Sequence, residues 1–157
     1  MSFLSINETR VREGNNLAIL RNLLPGRASV TNYTHHPGGR IWIFWDLNIL
    51  TVQVVQRSEQ IIHVQATIIQ KQLVLGISCI YGHNTQVPRR DLWNSLRLIS
   101  STILSTPWLV VGDFNMIRHP TECIGGATEW PYYLEDLNEC CQDSLLEDLR
   151  FTGRLHT

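Results

Sequence analysis

Ile41-Trp42-Ile43-Phe44-Trp45 places five large apolar residues in succession with no polar residue among them. A strand turns its side chains alternately to two faces. This run therefore fits only a central strand covered on both sides, which demands a layer above it and a layer below. Other runs rich in β-branched and aromatic residues also read as strands: Ala28 to Tyr33, Leu50 to Val55, Gln60 to Ile69 and Leu73 to Tyr81. Pro37-Gly38-Gly39 is a tight-turn signal that predicts antiparallel pairing between the strand ending at Tyr33 and the one beginning at Arg40. Within Gln60 to Ile69, Ile62, Val64, Ala66 and Ile68 alternate with His63, Gln65 and Thr67, the pattern of a half-buried strand.

Three helices complete the pattern. Leu17, Leu20, Leu23 and Leu24 recur at helical spacing before the stop signal Pro25-Gly26, predicting a helix from Val11 to Leu24. Pro88 opens a second, with Leu92, Leu96, Ile99 and Ile103 on one stripe, and Pro107 closes it. A third is expected from Pro131 to about Gln142, with Leu134, Leu137 and Cys141 facing inward. Trp108 to Val111 reads as a short buried strand running into Gly112-Asp113-Phe114-Asn115. This order of elements predicts an α/β (α+β) fold with two sheets covered by helices rather than an alternating parallel sheet.

Composition narrows the function classes. The 157 residues are 43% hydrophobic and 17% charged, enough for a core and too apolar for intrinsic disorder. No repeat, low-complexity tract or linker marks a boundary, so residues 1–157 read as a single domain. The apolar runs fall short of the roughly 20 residues that span a bilayer. Met1 to Ile6 lacks the basic and apolar regions of a signal peptide, which points to an intracellular protein, nuclear or cytoplasmic, neither secreted nor membrane-bound. Thirteen Lys and Arg against fourteen Asp and Glu leave a net charge of −1, so binding to nucleic acid has to be weak and local. The four cysteines lack the regular spacing of a disulfide scaffold and read as reduced thiols.

Three segments put carboxylate, amide or phenol groups at a junction of strand and loop: Asn7-Glu8-Thr9, Tyr81-Gly82-His83-Asn84 and Gly112-Asp113-Phe114-Asn115. Rigid backbone holds such groups at a cleft. Mg²⁺ takes one or two carboxylates and keeps several waters, a role open to Glu8 and Asp113. Asn84 and Asn115 can orient a phosphate or a water without repelling it, and Tyr81 can donate to a phosphate oxygen. Arg89 and Arg90 at a helix start either touch DNA phosphate or form a solvated pair. Trp130, beside Gly125-Gly126, is either a surface wedge against substrate or part of the core, whereas Trp42, Trp45 and Trp93 read as core. His35-His36 belongs to its turn. His119 and Cys123 are separated by the helix-breaking Pro120 and do not read as a zinc site. Cys140-Cys141 reads as helix packing.

Taken together, Glu8-Thr9-Arg10, Tyr81-x-x-Asn84 and Trp108-Leu109-Val110-Val111-Gly112-Asp113-Phe114-Asn115 resemble the endonuclease/exonuclease/phosphatase superfamily, which includes apurinic/apyrimidinic endonucleases and pancreatic deoxyribonuclease. More narrowly, His35-His36-Pro37-Gly38-Gly39-Arg40-Ile41-Trp42, Arg89-Arg90-Asp91-Leu92-Trp93 and Gly125-Gly126 resemble the endonuclease domain of plant LINE-type (non-LTR) retroelements, encoded beside a reverse transcriptase domain. The resemblance implies a four-layer sandwich of two mixed β-sheets flanked by helices, cleaving phosphodiesters in DNA with Mg²⁺ or Mn²⁺. It implies Glu8 as a metal ligand, Tyr81 and Asn84 on the scissile phosphate, and Asp113 with Asn115 positioning and deprotonating the attacking water.

The sequence also departs from that pattern. The family opens with a strand ending in an asparagine that supports the metal carboxylate. Here only Met1 to Ile6 precede Asn7-Glu8, so that strand is expected to be absent, and Asn7 does not replace the asparagine by position. The family closes with strands carrying a further aspartate and a Ser-Asp-His motif, neither of which appears before Phe151 to Thr157. The expected result is an incomplete fold with an unpaired sheet edge, and a crippled nuclease. The alternatives are a non-catalytic relic that at most binds nucleic acid weakly, and a phosphatase of the same superfamily.

Overall fold

The computed structural model describes residues 1–103, 105–118 and 135–149. They belong to two compact units, Met1–Gly82 with Ser105–Asp113, and His83–Leu104 with Phe114–Thr157. The two are interleaved along the chain, so no composition shift marks a single boundary between them.

The first unit holds two sheets. One is antiparallel throughout, in the order β1 (Phe3–Asn7), β3 (Ile41–Trp45), β2 (Ala28–Thr31). The other is mixed: β4 (Leu50–Arg57), β5 (Ile61–Ile68) and β6 (Leu73–Tyr81) pair antiparallel, and β7 (Trp108–Asp113) joins β6 in parallel. β3 lies at the centre of its sheet with Ile41, Trp42, Ile43 and Phe44 buried, as its sequence demands. Ile41 and Ile43 join Ile62, Val64, Ala66, Ile77, Cys79 and Tyr81 in the core between the sheets. On the opposite face Trp42 and Phe44 pack with Tyr33, Ile19 and Leu20, the last two from α1 (Glu13–Leu23). Each such burial contributes about 1.5–3 kcal/mol.

Three local features add to or differ from the sequence reading. Phe3–Asn7 forms β1 and supplies the strand end expected at Asn7-Glu8-Thr9, although its bounds are not among the strands read from the sequence. Its residues are only half-buried, and pairing its backbone with β3 is what makes it a strand. Tyr33 sits beyond the end of β2, buried in the turn, where its hydroxyl donates to the Val11 carbonyl at 2.8 Å. His63, placed on a polar face by its alternation, is 2% exposed, so the first half of β5 is covered on both sides. Its Nδ1 lies 2.8 Å from Ser78 Oγ, which accepts the Trp108 indole N–H at 2.9 Å. Burial lowers the imidazole pKa below its ordinary value.

The second unit contains α2 (Gln86–Thr102), with Pro88 in its first turn and Leu92, Trp93, Leu96 and Ile99 buried, and α3 (Glu135–Asp143), which buries Leu137, Cys140 and Cys141. The Trp93 ring stacks on Phe114 with centroids 6.2 Å apart, and Cys140 Sγ lies 3.7 Å from the Trp93 carbonyl. The expected helix start at Pro131, and with it Leu134, His119, Cys123, Gly125-Gly126 and Trp130, lies outside the described residues. No helix among the described residues is long and apolar enough to cross a membrane. Cys79, Cys140 and Cys141 are free and buried, and burial pushes the Cys79 and Cys140 thiols up to about 11.

Candidate functional site

Parallel pairing sets Tyr81 at the end of β6 opposite Asp113 at the end of β7. β1 brings its own carboxyl end to the same place, because the Asn7 amide donates to the Ile80 carbonyl at 2.8 Å. Glu8 follows directly. The three polar residues expected at strand ends, Glu8, Tyr81 and Asp113, are therefore gathered by three strands of one unit. Asn7 itself is committed to β6 and to the Ser5 hydroxyl, which donates to it at 3.4 Å.

Several constraints fix this end of the sandwich. Gly112 has φ +136°, and a Cβ there would lie 2.0 Å from the Ile80 carbonyl oxygen, so only glycine lets β7 approach β6 this closely. The Gly82 N–H donates to the Asp113 carbonyl at 2.7 Å. Glu8 and Arg10 both adopt positive φ, 54° and 50°, in a short loop. Between them the Thr9 hydroxyl donates to the Gly39 carbonyl at 2.9 Å, tying that loop to the turn before β3. Left-handed backbone at non-glycine residues persists where surrounding contacts impose it, and such residues cluster at functional sites.

Electrostatics centre on Glu8. Arg10 donates to one carboxylate oxygen through Nε, at 3.0 Å, and through Nη2. That pair is the first cause of a Glu8 pKa held below the usual carboxylate range, with smaller contributions from the Tyr81 hydroxyl and Arg40. Both partners are exposed, so water screens the attraction. Arg40 Nη1 donates to the Tyr81 hydroxyl at 2.9 Å, and its guanidinium lies 5.2 Å from the centre of the Tyr81 ring. Arg40 is a functional candidate that the sequence reading passed over. Nothing local marked it, since its partner is 41 residues away.

The remaining candidates belong to the second unit. Asn84 and Arg90 are exposed, and Asn115 has φ +49°. Arg89 is buried rather than displayed: at 5% exposure it offers no surface to a DNA phosphate, and its Nη1 donates to the Asn115 carbonyl. Its role is to hold the loop that carries Asn115. Trp130 lies outside the described residues. The expectation for His35-His36 agrees with the turn geometry, in which His36 accepts the Gly38 N–H at 2.9 Å on Nδ1 and the Gly39 N–H on its carbonyl.

Glu8 and Asp113 supply hard oxygen donors. Such a set fits a cation that accepts one or two carboxylates and retains water, and it does not fit zinc, which prefers nitrogen and sulfur. The described residues contain no cluster of three or more His, Cys, Asp or Glu that could hold a metal by themselves.

No protein-family model matches the sequence, and no curated protein matches it. Among solved structures, the chain is similar to the endonuclease domain of TRAS1, a telomere-specific non-LTR retrotransposon, at 14% identity and TM-score 0.64, covering 94% of this chain and 74% of that one. It is similar to D. rerio TDP2 complexed with a single-strand DNA product, at 11% identity and TM-score 0.52 over 74% of this chain and 48% of that one. It is also similar to ANGEL2, a 2′,3′-cyclic phosphatase, at 16% identity and TM-score 0.52, covering 74% of this chain and 40% of that one. The chain thus spans less than half of the last two. At these identities the likeness is one of architecture: this chain has the α+β, two-sheet fold found in an endonuclease domain, a DNA-complexed protein and a cyclic phosphatase.

Proposed function

We propose that the chain is a metal-dependent phosphodiesterase domain acting on DNA, with Mg²⁺ or Mn²⁺ as its cation. The observation that carries this reading is the delivery of Glu8, Tyr81 and Asp113 to one end of the sandwich by β1, β6 and β7. A bound divalent cation would polarise a phosphate oxygen and offset its charge. Glu8 is its ligand. The Tyr81 hydroxyl, accepting from Arg40, keeps its own proton to donate to a phosphate oxygen or to Glu8. Asp113 accepts a proton from the attacking water, and the roles of Asn115 and Asn84 on water and phosphate rest on the sequence resemblance alone. Arg90 adds a cationic contact to DNA.

The finer reading is the endonuclease domain of a plant LINE-type retroelement with a reverse transcriptase as its partner domain, supported by the sequence resemblance and by the likeness to the TRAS1 endonuclease domain. The 157 residues contain no Ser-Asp-His sequence, so they do not supply the histidine half implied by the resemblance. We therefore expect metal binding with slow nicking. In titrations with Mn²⁺ followed by electron paramagnetic resonance, Glu8→Gln and Asp113→Asn should each weaken binding at least about tenfold, roughly 1.4 kcal/mol. Wild-type affinity in both variants would sink the reading. Rapid Mg²⁺-dependent nicking of supercoiled DNA by the unaltered chain, abolished by either substitution, would sink only the expectation of slowness.

A further inference from the structure

We propose that Arg40 is a phosphate-binding residue of this site, an inference that rests on the phosphodiesterase reading above and adds a substrate contact to it. Arg40 immediately precedes β3, and its guanidinium is fixed from two directions, by the hydrogen bond to the Tyr81 hydroxyl at 2.9 Å and by its place 5.2 Å from the Tyr81 ring centre. That hydroxyl takes one of five N–H donors. A planar guanidinium with donors to spare matches two oxygens of a phosphate, and one already stacked loses little freedom on binding.

The backbone that carries it is equally constrained. Gly39 has φ +49°, and a Cβ there would lie 2.2 Å from the Tyr33 ring. The Gly39 carbonyl accepts Thr9 Oγ1, and Asn32 anchors the start of β3 by accepting the Ile41 N–H at 3.0 Å. Arg40 is thus held beside Glu8 by contacts on both sides of the turn.

Charge supplies the reason for an arginine at this point. Glu8 and Asp113 both repel a phosphodiester, and the neighbouring guanidinium of Arg10 is already engaged by Glu8 through two donors. Arg40 is permanently charged and close enough to Glu8 to act on its carboxylate. It provides attraction for the substrate that does not depend on the cation.

The test uses a fluorescein-labelled DNA duplex followed by anisotropy over a range of salt, with inorganic phosphate followed by ³¹P NMR as a second probe. Arg40→Met should weaken duplex binding about tenfold and reduce the slope of log affinity against log salt by about one. Arg40→Lys should recover the slope but only part of the affinity, since it restores charge without the fork. Wild-type affinity and slope in Arg40→Met overturn the proposal, as does failure of the unaltered chain to bind either probe. Should the methionine variant not fold, the lysine variant decides: reduced affinity at unchanged slope supports the assignment, and unchanged affinity overturns it. Mn²⁺ affinity measured on the same proteins separates the two readings. If it is lost in Glu8→Gln but kept in Arg40→Met while phosphate binding does not respond to Arg40, the metal site stands and only the phosphate assignment falls.

Discussion

Asn32 has no exposed surface and spends its whole amide on backbone: Oδ1 takes the Ile41 N–H, and Nδ2 reaches the carbonyls of Ser58 and Glu59 at 3.2 and 2.9 Å. Its partners Ser58 and Glu59 lie 26 and 27 residues away, so nothing adjacent in the sequence distinguishes it from an ordinary turn asparagine. Arg40 was hidden for the same reason. Glu8, Tyr81 and Asp113 were legible because each stands where an apolar run meets a loop, and that position alone predicts a fixed polar group. His63 was misread because period-2 alternation reports only one face, and a histidine that finds a hydroxyl partner can occupy the other face buried. Its burial has a consequence for stability. The folded-state pKa is depressed, so the unfolded chain binds the proton more readily. Stability is full above the ordinary imidazole pKa of about 6.5 and is lost as pH falls through that value toward the depressed one. Urea denaturation of the native chain should show this loss between neutral and mildly acidic pH, and His63→Gln should flatten that part of the profile. Parallel profiles for the two proteins would refute it.

Among elements, the strands were read most faithfully, since β-branched runs bounded by turn residues leave little choice of conformation. β3, β6 and β7 were found within a few residues of their ends, and α2 was found with Pro88 in its first turn. β1 escaped because a strand this short owes its existence to its neighbour rather than to its own pattern. β7 illustrates the reverse case, in which a single residue decides whether the element can dock. Gly112→Ala forces a methyl group against the Ile80 carbonyl at an unfavourable φ and should cost about 3 kcal/mol. The urea midpoint should fall with little change in slope, and Mn²⁺ binding should weaken as Asp113 shifts. A variant as stable as the parent would show that the strand has room to slide.

At the scale of the whole molecule, the sandwich meets the demand made by the apolar run Ile41 to Trp45, a layer on either side of one strand. β7 ends the order β4-β5-β6-β7 among the described residues, and Leu109 on it is exposed. Exposed edges recruit other chains. Size-exclusion chromatography at rising concentration should reveal self-association, and Leu109→Lys should suppress it while leaving the melting temperature nearly unchanged. Equal elution of both proteins at every concentration would remove the edge from consideration. The interleaving of the two units carries one more implication, for biosynthesis. Residues 83–104 must emerge from the ribosome before 105–113 can return to complete the first unit. Until then β6 waits with one flank bare, and the second carboxylate arrives after every other strand of the described residues has been made, so the acidic pair forms as a late event in the birth of the protein.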